Sequence, residues 1–225
     1  MSLRFLRRTH IWLGWLVGVP LLLWTASGLF MAWQPIEKVR GEHLVRKVPS
    51  VSLSRQPVPP LIGPRPVASL TLEQQHDGAK WIIRYSDGGS RRADPATGRL
   101  LPALTAADAV ALVRSRYSGE AEIVSVQRTP AGSPPLELRR KVESWRVALD
   151  DGTRFYVSAA TGEILARRTG LWRVYDFLWG LHIMDLETRE DINNAWLVVF
   201  AALGFVSVLL ALILLPMTVA RRRRR

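Results

Sequence analysis

From Ile11 to Trp33 the chain runs 23 residues without an Asp, Glu, Lys or Arg, and from Ala195 to Ala220 it runs 26 more. At 1.5 Å per residue the shorter stretch makes a helix of roughly 34 Å, enough to cross a hydrocarbon core of about 30 Å. Two transmembrane helices therefore bracket whatever lies between them. An ordinary overall hydrophobic fraction hides this, because the apolar residues are concentrated at the two ends.

The flanks predict an orientation. Arg4, Arg7 and Arg8 precede the first stretch and Arg221 to Arg225 follow the second, so the positive-inside rule puts both termini in the cytoplasm. These eight arginines leave residues 34–194 with 23 of the 31 Lys+Arg against all 19 Asp+Glu, a balance of only +4. The formal net charge of +12 reports topology and contact with anionic lipid, not a nucleic-acid surface. Trp12 and Trp15 fall at the expected inner interface, Trp33 and Trp196 at the outer one. The first apolar stretch exceeds a signal-peptide core and no A-x-A site follows it, so it is expected to remain as an anchor. Gly14 and Gly18 in the first span, and Gly204, Ser207 and Ala211 in the second, form small-residue faces suited to close packing within the chain or in a dimer.

Residues 34–194 contain a repeat. WIIRYSDGGSRRADPATGRLL, Trp81 to Leu101, aligns without a gap on WRVALDDGTRFYVSAATGEIL, Trp145 to Leu165, at a period of 64 residues. Asp87-Gly88 matches Asp151-Gly152, and Thr97-Gly98 matches Thr161-Gly162. Alternation in WRVAL, a turn at Asp150-Asp151-Gly152, a returning Phe155-Tyr156-Val157 and a second turn at Thr161-Gly162 predict a β-meander for each copy. Ahead of the second copy, Ala106 to Tyr117 predicts a helix with Thr105 as N-cap and Ala109, Leu112 and Val113 on one face, followed by a strand at Ile123 to Gln127. The first copy is led instead by a Pro-rich extended segment, residues 49–66, and the loop from Thr129 to Pro135 is also Pro/Gly-rich. The expected fold is α+β: two transmembrane helices flank a domain of duplicated β-meanders with a packed helix. The expected division is 1–10, N-terminus; 11–33, first span; 34–67, Pro-rich linker; 68–168, repeats; 169–194, an aromatic helix and connector; 195–220, second span; and 221–225, Arg tail.

Several chemistries are excluded or unsupported. With no Cys there is no disulfide, iron–sulfur cluster, thiol nucleophile, Cys-ligated zinc or covalent c-type haem. The chain contains no P-loop, H-E-x-x-H, G-x-S-x-G or dinucleotide fingerprint. Enzymology, if any, falls to redox chemistry by a bound cofactor. The acidic stretch Asp185, Glu187, Glu190 and Asp191 reads either as a solvated connector or as hard-oxygen ligands for a metal. His43 and His76 fall in polar loops.

Three segments together resemble the PepSY-associated transmembrane family of bacterial inner-membrane proteins, as a short, two-span member related to iron-regulated inner-membrane proteins. They are Arg8-Thr9-His10-Ile11-Trp12-Leu13-Gly14 with Thr25-Ala26-Ser27-Gly28; the D-G…T-G-x-(x)-L modules; and Tyr175-Asp176-Phe177-Leu178-Trp179-Gly180-Leu181-His182. The resemblance implies a periplasmic PepSY-like domain on the inner membrane. Larger members have four spans, and some are implicated in periplasmic ferric-siderophore reduction with b-type haem held by membrane histidines. On that resemblance His10 and His182 are the candidate haem ligands, and the chain is a haem-linked electron-transfer component of iron reduction or uptake. The alternative is a non-enzymatic module that binds or regulates a periplasmic partner protein or envelope complex. His182 lies in Leu171–Asp185, an aromatic stretch too short to span the membrane and read as an interfacial helix. His10 and His182 then face opposite sides of the bilayer, so neither completes the other's iron. A homodimer would supply each second imidazole.

Overall fold

The computed structural model describes residues 3–48, 50–51 and 55–222, with side chains described as far as Met217. The last residues of the expected Arg tail and Pro49 of the expected linker lie outside the described residues. The fold is α+β, and the chain divides into two compact units, residues 1–35 with 173–225 and residues 36–172.

The first unit holds the two long apolar helices, α1 (Leu3–Trp33) and α5 (Ala195–Arg222). Both are long and apolar enough to cross a membrane. Large side chains such as Trp15, Leu22 and Leu29 stand exposed on α1, as lipid-facing residues of a span do. The two helices pack on one another. A Cβ at Gly204 would lie 3.9 Å from Val17 Cγ1, and Val17 is buried. Gly14 and Gly18 instead have open space beside them. Asn194 caps α5, its side-chain oxygen accepting from Leu197 N–H at 3.0 Å.

The second unit begins with a single-turn helix, α2 (Ile36–Val39), and a 3-10 turn, Glu42–Leu44. Its body is two antiparallel sheets. The first has the order β1 (Val67–Gln75), β2 (Gly78–Tyr85), β3 (Ser90–Ala93). The second has the order β4 (Ile123–Thr129), β5 (Ser144–Leu149), β6 (Arg154–Ser158), β7 (Ile164–Arg168).

The sequence repeat is a repeat of hydrogen bonds. Tyr85 N–H donates to Gly89 O and Leu149 N–H to Thr153 O, both at 2.8 Å. Asp94 N–H donates to Arg99 O and Ser158 N–H to Glu163 O, both at 2.9 Å. The two tryptophans also match: Trp81 Nε1 donates to Val58 O and Trp145 Nε1 to Leu104 O, each at 2.8 Å. Gly98 and Gly162 adopt φ of +69° and +74°, a region that favours glycine. The equivalence extends to a strand that the alignment does not reach. β1 and β4 both carry one extra residue near their starts, between Val67 and Ser69 and between Ile123 and Ser125.

The copies differ in what covers them. In the second, α3 (Ala106–Arg116) starts from a capping box in which Thr105 and Asp108 exchange side-chain and backbone bonds. Its Ala109, Leu112 and Val113 pack on Val147, Phe155 and Val157. The other face of that sheet is closed by the long β4–β5 loop. Leu138 packs there on Tyr156 and Ala166, and Glu137 accepts from the Tyr156 hydroxyl and from Arg154 Nη1, each at 3.0 Å. Among the described residues the first copy has no such covering helix or long loop. The Pro-rich segment runs beside it, with Val58 N–H on Pro95 O and Leu61 N–H on Gly98 O.

Candidate functional site

His182 closes α4 (Gly170–His182), the aromatic helix ahead of the second span. The helix stops three residues short of the expected Asp185. Met184, at φ +56°, turns the chain left-handed, Met184 N–H donates to Leu181 O, and Asp185 N–H donates to Gly180 O at 2.9 Å. This is a Schellman closure, and it fixes the turn that carries the histidine.

The connector locks that turn. Asp185 accepts at one carboxylate oxygen from the N–H groups of Glu187 and Thr188, and at the other from Glu190, Asp191 and the Thr188 hydroxyl. These bonds, led by that hydroxyl, hold its carboxyl well below the ordinary value. Arg189 reaches back to the buried Asp176 at 2.6 Å, and Trp179 Nε1 donates to Arg189 O at 3.1 Å. The acidic stretch is thus folded on itself by Asp185. Among the described residues no group of three or more His, Asp or Glu side chains is arranged to hold a metal ion.

Within the same unit His182 docks on α1. Its ring stacks on Trp24, with centroids 4.3 Å apart and planes 18° from parallel. Nδ1 lies 3.2 Å from Trp24 O and 3.1 Å from Ser27 Oγ. The Ser27 hydroxyl already donates to Trp24 O at 2.9 Å, and a carbonyl can only accept. The network therefore assigns the proton to Nδ1, leaving the Nε2 lone pair without a partner among the described residues. Gly28 makes the approach possible, since a Cβ there would sit 3.0 Å from His182 Cε1. The ring stacked on His182 is Trp24, which nothing in the local pattern of α4 signals.

His10 lies on α1 with its Nδ1 buried and without a hydrogen-bond partner among the described residues. Eighteen residues of helix separate it from Gly28, roughly 27 Å. The two imidazoles are therefore too far apart to share one iron. His43 and His76 belong to the second unit. His43 gives its carbonyl to the Ser118 hydroxyl, and His76 sits 3.8 Å from Asp77.

An imidazole whose Nδ1–H is tied to a backbone carbonyl and whose Nε2 is open is the form that ligates a metal or haem iron. The donor set at His182 fits a haem-ligating imidazole in that respect.

The family model for the PepSY-associated TM region matches residues 7–225. No curated protein and no solved structure matches the chain. The chain belongs to the PepSY-associated transmembrane family, and it is a membrane PepSY protein.

Proposed function

We propose that this member of the PepSY-associated transmembrane family sits in a bacterial inner membrane with both termini cytoplasmic and the repeat unit periplasmic, where it acts as a haem-linked electron-transfer component of periplasmic iron reduction or uptake. The observation that carries the reading is the held imidazole of His182, with Nδ1–H on the Trp24 carbonyl, the ring on the Trp24 indole and Nε2 open. The arginine flanks support the orientation.

A b-type haem supplies one-electron transfer when bound. His182 and His10 are the residues that would hold it. His182 offers Nε2 near the periplasmic end of α1, and His10 offers an imidazole near the cytoplasmic end. A second histidine for each site would come from another copy of the chain, so a homodimer would bring His182 to its copy and His10 to its copy. The test is haem stoichiometry in detergent-purified protein. His182→Ala and His10→Ala should each keep about half of the parent's haem with one of two redox transitions gone, and the double variant should keep none. Full haem content in both single variants would contradict the assignment.

A second reading rests on the duplicated modules. The second sheet ends in the edge strands β4 and β7 and the first in β1, and a sheet edge can accept an added strand from a partner. Here the chain is a membrane-held module that binds or regulates a periplasmic protein, and His182→Ala changes no spectrum.

A further inference from the structure

A cavity of about 210 Å³ opens at the joint between the two modules of the second unit. The first module contributes Glu73 to His76 at the end of β1; the second contributes Glu163, Ile164 and Arg167; α3 contributes Leu112 and Arg116. Gln75 ties the walls together, with its Nε2 on Thr161 O at 2.5 Å and its Oε1 accepting from Arg92 Nη1 at 3.2 Å. The opening is smaller than the roughly 300–1,000 Å³ of drug-sized ligand sites, so it suits a group of few atoms.

Its charges are unevenly spent. Arg84 takes both acidic residues of the lining, at 3.7 Å from Glu73 and 3.5 Å from Glu163. His76 faces Asp77. Among the described residues, two cations of the lining are left without a carboxylate partner. Arg116 gives only its Nε, to Arg46 O at 3.0 Å. Arg167 has its Nε buried with no hydrogen-bond partner among the described residues. Burial, and then the neighbouring Arg167 charge, hold Arg116 below the ordinary arginine value. Beside this pair the lining is apolar, from Val45, Leu112 and Ile164.

Two adjacent guanidiniums without a carboxylate of their own, next to an aliphatic wall, match one ligand chemistry. We propose that this cleft binds a carboxylate carried on a short aliphatic stem, with Arg116 and Arg167 on the carboxylate and Val45, Leu112 and Ile164 on the stem. Planar carboxylate recognition by paired guanidinium donors is the arrangement that arginine provides and lysine does not. The ligand is either a free small acid or the C-terminal residue of a peptide, since both present the same group. The site is independent of the haem reading, because every residue in it belongs to the second unit.

The experiment uses the full chain in lipid nanodiscs and calorimetric titration with four probes: isovalerate, isovaleramide, acetyl-Ala-Val with a free carboxylate, and its C-terminal amide. At least one of the two acids should bind saturably and neither amide should. Binding of the peptide acid alone makes a chain terminus the source, and binding of isovalerate alone makes it a free acid. Arg167→Gln and Arg116→Gln should each weaken binding by on the order of tenfold. Arg167→Lys, which keeps the charge, should still lose several-fold. The wild-type contrast of acid with amide stands even if a variant fails to fold. Amides binding as well as acids, unchanged affinity in Arg167→Gln, or no saturable binding of either acid at concentrations on the order of 10 mM would overturn the proposal.

Discussion

His182 and Trp24 lie 158 residues apart in the chain, and their rings stack at 4.3 Å with the Trp24 carbonyl facing His182 Nδ1. One residue of α1 thus supplies both the surface under the imidazole and the acceptor that fixes its tautomer. The haem reading depends on this pairing, because an imidazole free to rotate or to carry its proton on Nε2 would be a poor ligand.

Gly28 is the most sensitive position near that pairing. A Cβ there would approach His182 Cε1 to 3.0 Å, so Gly28→Val, with two γ-carbons beyond that Cβ, should displace the ring on Trp24. Haem affinity should fall by on the order of tenfold or more, in the range seen when the supporting shell of a ligating histidine is lost. Ser27→Ala should cost only a few-fold, since the Trp24 carbonyl remains. Titration of haem into haem-depleted protein measures both. Unchanged affinity in Gly28→Val would separate the ring position from haem binding.

Glu137 holds the long loop against the second sheet through Tyr156 and Arg154. Tyr156→Phe removes one bond to a charged acceptor and should cost about 1–2 kcal/mol. Burial, then the Glu137 charge, push the Tyr156 hydroxyl up to about 12 from 10. The folded state therefore favours the neutral phenol. That contribution is full below the unfolded value near 10 and is lost as pH rises from there through about 12. Denaturation followed across that window should show an alkaline loss of stability that Tyr156→Phe lacks, and equal alkaline slopes in the two proteins would refute it.

Two repeat glycines should respond differently to alanine. Gly88 has φ +83° with nothing within 4 Å of an added Cβ, whereas at Gly98 the Cβ would fall 2.4 Å from Pro59 O. Gly88→Ala should cost only the left-handed strain, about 1–2 kcal/mol. Gly98→Ala should cost more, about 3 kcal/mol or above, because backbone must also move. Equal losses in chemical denaturation would mean that the Pro-rich segment does not press on the first meander.

Asp185 gives a pH test of the connector. Its carboxyl is lowered from the usual 3.8, so its contribution is present above that value and disappears as pH falls below it. Amide exchange at Glu187, Thr188, Glu190 and Asp191 should accelerate relative to neighbouring sites in acid. Asp185→Asn should show faster exchange already at neutral pH. Protection unaffected by either change would remove Asp185 from the lock.

Much of the architecture is legible in the sequence because its signals are local. Uncharged stretches mark α1 and α5, Thr105 with Asp108 marks the start of α3, and the paired Trp, Gly and Thr-Gly positions mark the repeat. β1 escapes because it is an edge strand of half-buried and exposed residues, so Thr71, Glu73, Gln74 and Gln75 show no clean alternation. The candidate site is half legible. His182 stands out as one of four histidines in the chain, but Trp24, Ser27 and Gly28 read only as ordinary span residues. Their role arises from tertiary docking, which no local pattern encodes. The same holds for Glu137, an unremarkable acid in a loop until Tyr156 and Arg154 close on it.

The most direct test of the haem assignment is the absorbance spectrum of the detergent-purified protein, expressed with haem supplied, oxidised and then reduced with dithionite. A Soret band that shifts on reduction, with a sharp α-band of the six-coordinate b type, is the predicted result, and it should weaken in His182→Ala. A featureless spectrum in the parent protein would contradict the assignment and leave the membrane-held binding module as the function of this chain.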